Sequence, residues 1–186
     1  ATPWCGLALW DTRPVAAHQF ASPMDRSKRR VPSIQRILAD EAWAVNDIEG
    51  IAVSLGPGSF TGLRIGVATA KTLAQVLAIP VAGVGTMDIL TARYAGVGAA
   101  VWTALSYRRD PWYLARTDRP DAGIRIVTTD ELNTEVSASP EPVLLLGDAV
   151  LRGAVTENVL PAPLTAHRPD VLEVARLGAA VLESGQ

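Results

Sequence analysis

The sequence predicts an α/β fold built around one parallel β-α-β unit. Residues 49–55 are mostly apolar and end at a glycine-rich break, as is typical of a short buried strand. Ser59 and Thr61 can each cap a helix that runs to about Leu77, because a hydroxyl oxygen accepts a hydrogen bond from an N–H of the first turn. Residues 80–84 then form a second strand. Such a crossover places both strands parallel in one sheet.

The predicted helix divides into faces at about 100° per residue. It has a narrow polar stripe, an apolar face beside it, and a flank of small and apolar residues opposite the stripe. The polar stripe comprises Arg64, Ala68, Lys71 and Gln75, and the apolar face comprises Leu63, Val67, Ala70 and Ala74. The flank opposite the stripe comprises Gly62, Gly66, Thr69 and Leu73. Because so much of the circumference is apolar or small, we expect burial on most sides. The two glycines each cost the helix ~1 kcal/mol relative to alanine. They suit close approach of another backbone, from the chain's own sheet or from a second protein.

The loop of sequence GPGSFTG, residues 56–62, has glycines at a helix start, a combination that attracts anions. Gly58, Ser59 and Thr61 are the candidate phosphate-binding residues. The loop is not a Walker A motif, because its outer glycines are one residue too far apart and no Lys-Ser/Thr pair follows. It is not G-x-G-x-x-G either, since Thr61 stands where the last glycine belongs. The favoured interpretation is a tight strand-to-helix turn with a capped start.

A β-hairpin and a helix are predicted before this unit. Residues 4–10 and 15–20 form the hairpin strands. The helix runs from Ser27 to Val45 with an amphipathic stripe of Val31, Ile34, Leu38, Ala42 and Val45. A basic cluster crowds its start, formed by Arg26, Lys28, Arg29 and Arg30. Two interpretations of the cluster stay open: a solvated basic helix end, or a contact with an acidic surface of a partner protein or a nucleic acid.

The second half of the chain continues the α/β pattern. A short helix capped by Thr86 ends near Tyr94, and the glycines at 96 and 98 mark the predicted domain boundary. Thr129 is predicted to cap a brief helix. Strands are predicted at residues 99–106, 112–117, 124–127 and 143–146, and a last amphipathic helix at 170–183, with Val171, Val174, Leu177 or Gly178, and Val181 inward.

Composition narrows the classes of function. The formal net charge of −2 gives no overall electrostatic case for gripping a nucleic acid backbone. The single cysteine, Cys5, cannot form an internal disulfide, which fits a reducing cytoplasm. No apolar run of about 18 residues and no signal peptide are visible in this sequence, so neither a membrane partner nor secretion is expected.

The loop and the helix after it resemble the signature of the bacterial TsaB (YeaZ) family. The matching residues are Gly56-Pro57-Gly58-Ser59-Phe60-Thr61-Gly62-Leu63-Arg64-Ile65-Gly66, Ala68-Thr69-Ala70-Lys71 and Ile79-Pro80-Val81. The opening Ala1-Thr2-Pro3 is similar to the end of the family's D-T-A-T-P start. The resemblance covers residues 1–90 and is weak beyond.

This resemblance implies an ASKHA fold, the actin-like and RNase H-like architecture of two small mixed-sheet subdomains with flanking helices. The N-terminal subdomain would comprise residues 1–97, with its first strand missing from the given sequence. A degenerate C-terminal RNase H-like subdomain would comprise residues 98–186.

The resemblance also implies that the chain lacks catalytic chemistry. In TsaD, the catalytic relative, the strand after the signature leads into Asn-His-x-x-x-His, which binds a metal. Here Thr86 and Leu90 occupy the two histidine positions. His18 and His167 are far apart in sequence, whereas a metal site needs clustered ligands. Cys5 is interpreted as an inert buried thiol. Three carboxylates are interpreted as turn and cap residues, namely Asp47, Glu49 and Asp88. We therefore expect no metal, no cofactor and no enzymatic activity.

By resemblance, the chain is expected to be a non-catalytic scaffold or activator that pairs with TsaD to make N6-threonylcarbamoyladenosine next to the tRNA anticodon. It would meet the TsaE ATPase through TsaD, touch tRNA indirectly, and form a two-fold homodimer when alone. The predicted partner interface comprises Gly62, Leu63, Gly66, Val67, Ala70, Ile34 and Leu38. The alternative is an ASKHA-type nucleotide-dependent enzyme that uses the GPGSFTG turn for phosphate. No convincing second phosphate loop supports that alternative.

Overall fold

The structure is a computed structural model that describes residues 4–21, 30–106 and 110–185. Its contacts divide the chain into two units. The first unit comprises Thr2–Gly85 with Asp170–Gln186, and the second comprises Thr86–Pro169. No helix in the described part of the chain is long and apolar enough to cross a membrane.

Eight strands and six helices are described. The strands are β1 (Trp4–Asp11), β2 (Arg13–Ala21), β3 (Ile51–Gly56), β4 (Val81–Gly85), β5 (Val101–Ser106), β6 (Trp112–Arg116), β7 (Arg125–Val127) and β8 (Leu144–Leu146). The helices are α1 (Arg30–Asp40), α2 (Phe60–Leu77), α3 (Thr86–Ala92), α4 (Thr129–Ser137), α5 (Asp148–Leu151) and α6 (Val171–Ser184).

The predicted hairpin and the predicted parallel unit are both confirmed in the first unit. β1 pairs antiparallel with β2, turning at Thr12, whose φ is 49°. β3 pairs parallel with β4, and α2 is the crossover between them. Ile51 lies beside Val81 in this pair. α2 ends where Ala78 adopts a left-handed conformation with φ 55°, a common way to close a helix.

Helix α1 ends earlier than the sequence predicts. It stops at Asp40 because Ala42 takes a φ of 56°, and the Trp43 N–H bonds to the Leu38 carbonyl. The predicted end at Val45 is therefore wrong, and the predicted start at Ser27 lies outside the described residues. Val45 is exposed, and so is Val31 at the other end of the predicted stripe.

The helix α1 packs on β1 and β2 and closes a small core. Ile37 and Leu38 on the helix are buried against Leu9 of β1. Ile34 packs at the edge of the same core. The predicted stripe therefore holds in the middle of the helix, although it misses Ile37, which is 2% exposed.

The last helix, α6, packs on all four strands of the first unit. An ideal Cβ on Gly6 would lie 2.8 Å from the Val171 Cβ, and one on Gly50 would lie 2.5 Å from the Leu182 Cδ1. Small residues thus line the path of the helix over the strands. The final helix therefore belongs with the first 85 residues rather than with the residues just before it.

The second unit is built on a mixed four-stranded sheet in the order β7-β6-β5-β8. Only β5 and β8 are parallel among these pairs. One core contains Trp102, Trp112, Leu114 and Leu145 from the sheet with Leu132 and Val136 from α4. The other core contains Val101, Leu105, Leu144 and Leu146 with Met87 and Leu90 from α3. Alternation along the strands therefore buries both faces of the sheet.

Two details of the second unit correct the sequence analysis. The N-cap of α4 is Thr128 rather than Thr129, in a reciprocal pair in which the Thr128 N–H bonds to Glu131 Oε2 at 2.7 Å. The contacts divide the chain between Gly85 and Thr86, not at residues 97 and 98. The RNase H-like character of the two halves stays a prediction.

Gly178 is the closest point between α6 and the strands, and its substitution tests that packing. An ideal Cβ there would overlap the Ala52 Cβ and lie 3.8 Å from the Val84 Cγ2. We predict that Gly178→Ala lowers the free energy of unfolding by about 1–3 kcal/mol, because overpacking outweighs the gain in helix propensity. Urea denaturation measures this change.

Two further variants make the Gly178 result specific. Ala180→Val adds bulk on the exposed side of the same helix and should change stability by less than about 1 kcal/mol. Adding Ala52→Gly to Gly178→Ala removes the overlapping methyl group and should recover part of the loss. A stabilised Gly178→Ala protein would contradict this packing.

Candidate functional site

The turn between β3 and α2 is the centre of the candidate site. Gly56 ends β3 with a φ of 108°, a conformation that other residues rarely adopt. A Cβ at this position would also lie 2.9 Å from the Leu63 Cδ1. Glycine is therefore required both by the backbone conformation and by the helix side chain above it.

Ser59 caps α2, as one of the two interpretations of the loop predicts. Its Oγ accepts a hydrogen bond from the Gly62 N–H at 3.3 Å, and its carbonyl accepts one from the Leu63 N–H at 2.8 Å. Gly58 and Thr61 are exposed, whereas Ser59 is half-buried. The helix start is thus partly satisfied by its own cap, which an anion bound at the Gly62 N–H would have to displace. The phosphate role of these three residues stays a prediction.

Helix α2 is less buried than the sequence predicts. Its predicted polar stripe is exposed along its full length, and its buried residues are Ala70 and Ala74 on the apolar face beside that stripe. Phe60 and Val76 are also exposed, at 73% and 75%. The expectation of burial on most sides is therefore wrong, because the helix packs mainly on β3 and keeps one face in solvent.

Phe60 is a surface feature that the sequence analysis missed. The Arg64 guanidinium carbon lies 5.4 Å from the centre of the Phe60 ring, within the range of a cation–π contact. This pairing holds an aromatic ring and a cation together on the first turn of the exposed face. The sequence feature that could have predicted this exposed ring was a bulky apolar residue at the first position of the helix.

The residues of the predicted interface fall into two groups. Leu38 and Ala70 are 5% and 6% exposed, so these two side chains support the chain's own core and cannot form a partner surface as predicted. The others are half-buried: Gly62, Leu63, Gly66, Val67 and Ile34. The interface prediction is thus corrected for two residues and stays a prediction for the rest.

Thr86 and Leu90, which the resemblance aligns with metal-binding histidines, are buried residues of the second unit. Thr86 and Leu90 are 7% and 2% exposed and belong to α3. The described residues hold no cluster of three His, Cys, Asp or Glu side chains that could bind a metal ion. Asp47 accepts a hydrogen bond from the Ala44 N–H at 2.7 Å, which agrees with its interpretation as a turn residue.

The two histidines lie in different units and have separate surroundings. His18 is half-buried on β2, opposite Leu7. His167 is 3% exposed, and its Nδ1 accepts a hydrogen bond from the Gly147 N–H at 3.3 Å. Burial lowers the pKa of His167, against the opposing effect of a hydrogen bond with the Ala162 backbone. A neutral imidazole whose Nδ1 accepts this hydrogen bond stabilises the local backbone, and that nitrogen is not available as a metal ligand.

A charged cluster in the second unit was not predicted from the sequence. Arg116 pairs with Asp118 at 2.6 Å and with Glu135 at 3.1 Å, and Arg125 pairs with Glu135 at 2.7 Å. The Arg116 Cζ also lies 3.7 Å from the centre of the Trp102 ring. The Arg116 hydrogen bond lowers the pKa of Asp118. These charges connect β6, β7 and α4, so we assign the cluster a structural role.

Comparisons with known proteins show which family shares this arrangement. A family model described as "TsaD: tRNA N6-adenosine threonylcarbamoyltransferase" matches residues 24–133. The chain is 36% identical to "tRNA threonylcarbamoyladenosine biosynthesis protein TsaB" of Escherichia coli K12 over 67% of this chain and 54% of that protein. It is 32% identical to the Bacillus subtilis protein of the same name over 83% of this chain and 72% of that protein. The chain thus spans about half of the E. coli relative.

A solved structure shows the same fold. The structure described as "YeaZ from Pseudomonas aeruginosa" superposes with a TM-score of 0.71 at 23% sequence identity. The superposition covers 98% of this chain and 89% of that chain. The mixed α/β arrangement of small sheets and helices is therefore one that a known protein adopts.

The hydroxyl groups of the loop can be tested separately. We predict that Ser59→Ala lowers the free energy of unfolding by about 1 kcal/mol, because it removes the cap of α2. Thr61→Ala changes an exposed residue and should stay within about 0.5 kcal/mol of the wild type. Urea denaturation distinguishes the two. Equal stabilities, together with inorganic phosphate binding that either variant abolishes, would favour a phosphate site instead.

Proposed function

Because the chain belongs to the TsaB (YeaZ) family of the TsaD-like superfamily, we propose that it takes part in tRNA threonylcarbamoyladenosine biosynthesis. The names of the E. coli and B. subtilis relatives support this role. The fold that we propose for it is the ASKHA arrangement, with one mixed-sheet subdomain in each half. The two units and the neighbouring YeaZ structure support that assignment.

We propose that the chain acts in this pathway as a scaffold or activator subunit and leaves the transfer reaction to TsaD. The burial of Thr86 and the packing of Leu90 in a core support the proposal, because the resemblance aligns these two positions with the metal ligands of TsaD. Ser59 supports it as well, since its hydroxyl caps the chain's own helix. Contact with a partner, rather than chemistry on a substrate, would then be the activity of this chain.

The exposed side of α2 is the observation that carries the proposal. A helix that packs on one two-stranded sheet leaves Phe60 in solvent, and aromatic side chains such as this one are enriched in protein–protein interfaces. The half-buried Val67 borders this side of the helix. Gly66 is also half-buried but lies on the flank opposite the polar stripe, where a glycine allows another backbone to approach closely. We assign TsaD as the partner at α2, with TsaE and tRNA reached through it. In the absence of TsaD, we expect the chain to form a two-fold homodimer through the same helix, with a lower affinity than that of the complex with TsaD.

The test is binding to purified TsaD and stimulation of tRNA modification. We predict that Gly66→Leu and Phe60→Ala each weaken TsaD binding about tenfold or more and lower threonylcarbamoyladenosine formation in proportion. Ala180→Leu adds the same side chain to an exposed position on α6 and should leave both quantities unchanged. Titration calorimetry gives the affinity, and circular dichroism checks that each variant is folded.

Phe60→Ala keeps this test decisive if Gly66→Leu does not fold, because Phe60 is 73% exposed and contributes little to the core. A folded Phe60→Ala protein that binds TsaD like the wild type would place the interface away from α2. A wild-type chain that neither binds TsaD nor raises tRNA modification would contradict the proposed function.

A further inference from the structure

The exposed face of α2 carries positive charge without any acidic residue to balance it. Arg64 and Lys71 are both exposed on this face, and the sequence from Phe60 to Leu77 contains no Asp or Glu. In the described part of the chain neither cation forms a salt bridge; Arg64 instead contacts the Phe60 ring. The face is therefore a basic surface with one exposed aromatic ring.

Two exposed cations on other helices of this unit have carboxylate partners. Arg36 on α1 pairs with Asp40 at 3.6 Å, one turn along the same helix. Arg176 on α6 pairs with Glu173 at 2.9 Å. Arg36 and Arg176 therefore each have a carboxylate within about one turn of their own helix, whereas neither cation on the exposed face of α2 has one.

The positions of the two cations oppose pairing with a second copy. In a two-fold antiparallel contact centred on Ala68, Lys71 of one copy falls opposite position 65 of the other, next to Arg64. In a parallel contact Arg64 faces Arg64. Like charges are brought together in both orientations, and that juxtaposition weakens association. Self-association through this face is consequently disfavoured by its own charge.

We propose that the exposed face of α2 docks an acidic helix of the partner and that its charge selects this partner over a second copy of the chain. The inference rests on the proposed function, in which the partner is TsaD. Arg64 and Lys71 are seven residues apart, about 10 Å along the helix axis. The complementary surface carries carboxylates at that spacing, with an apolar recess for Phe60 between or beside them.

Reversing the charge of Lys71 tests the proposal, because it should change the affinity for TsaD and the affinity for a second copy in opposite directions. Lys71→Glu weakens TsaD binding about tenfold, because it replaces an attraction by a repulsion. The same variant strengthens self-association about tenfold, because the introduced carboxylate then falls beside Arg64 of the other copy. The double variant Arg64→Glu/Lys71→Glu weakens TsaD binding further and returns self-association to the wild-type level. Calorimetry and sedimentation equilibrium measure the two affinities.

A control and a salt titration separate this charge effect from a loss of folding. Arg119→Glu makes the same charge change at an exposed position of the second unit and should alter neither affinity. Raising the ionic strength from about 0.1 M to about 1 M shortens the Debye length from about 10 Å to about 3 Å. For the wild type, TsaD binding then falls while self-association rises.

The outcomes that overturn the proposal differ from those that overturn the proposed function. If Lys71→Glu binds TsaD like the wild type, or leaves self-association unchanged or weaker, the charge selection is wrong although the pairing with TsaD stands. If the wild type shows no binding to TsaD, the proposed function and this partner are both wrong.

Discussion

The first unit depends on the close contact between α6 and the strands β1 to β4, which lie more than 80 residues earlier in the sequence. Gly178 lies directly against Ala52 and Val84, and Gly6 and Gly50 leave space for Val171 and Leu182. Two separate two-stranded sheets, β1-β2 and β3-β4, would each be marginal alone, and one helix that packs on both supplies the shared surface. With α6 in this position, β3 is fixed, and β3 in turn fixes the turn at Gly56 from which α2 begins.

That order of dependence explains how α2 can serve two purposes. Its inner side, with Ala70 and Ala74, packs within the unit, while its outer side keeps Phe60, Arg64 and Lys71 in solvent. Ser59 ties the helix start to its own cap, so the loop supports the position of the helix more than it offers a place for a ligand. In the proposed function the exposed face of α2 contacts another protein, and the positive charge of that face favours an acidic partner.

Local patterns predicted the elements well, and tertiary contacts account for the failures. Alternating residues 4–20 and the glycine-rich break at 56–62 gave the hairpin and the parallel unit, because both signals lie within a few residues. The end of α1 was missed because the apolar period continues to Val45, although Ala42 already leaves the helical conformation. The placement of α6 and the pairing of Arg116 with Glu135 join segments that are distant in sequence, and the hydrophobic pattern of a segment does not predict such contacts. For the site, the polar stripe of α2 was predicted correctly. The apolar patterns of α1 and α2 wrongly gave Leu38 and Ala70 as interface residues, although both are buried. The reason is that an apolar pattern does not distinguish a core from a docking surface.

The central claim is that this chain acts through the surface of α2. Hydrogen–deuterium exchange of the chain, measured with and without purified TsaD, tests it directly. The account predicts that TsaD slows exchange in residues 60–77 and leaves exchange in α6 unchanged. Slower exchange confined to the second unit or to α6, with α2 unaffected, would contradict it.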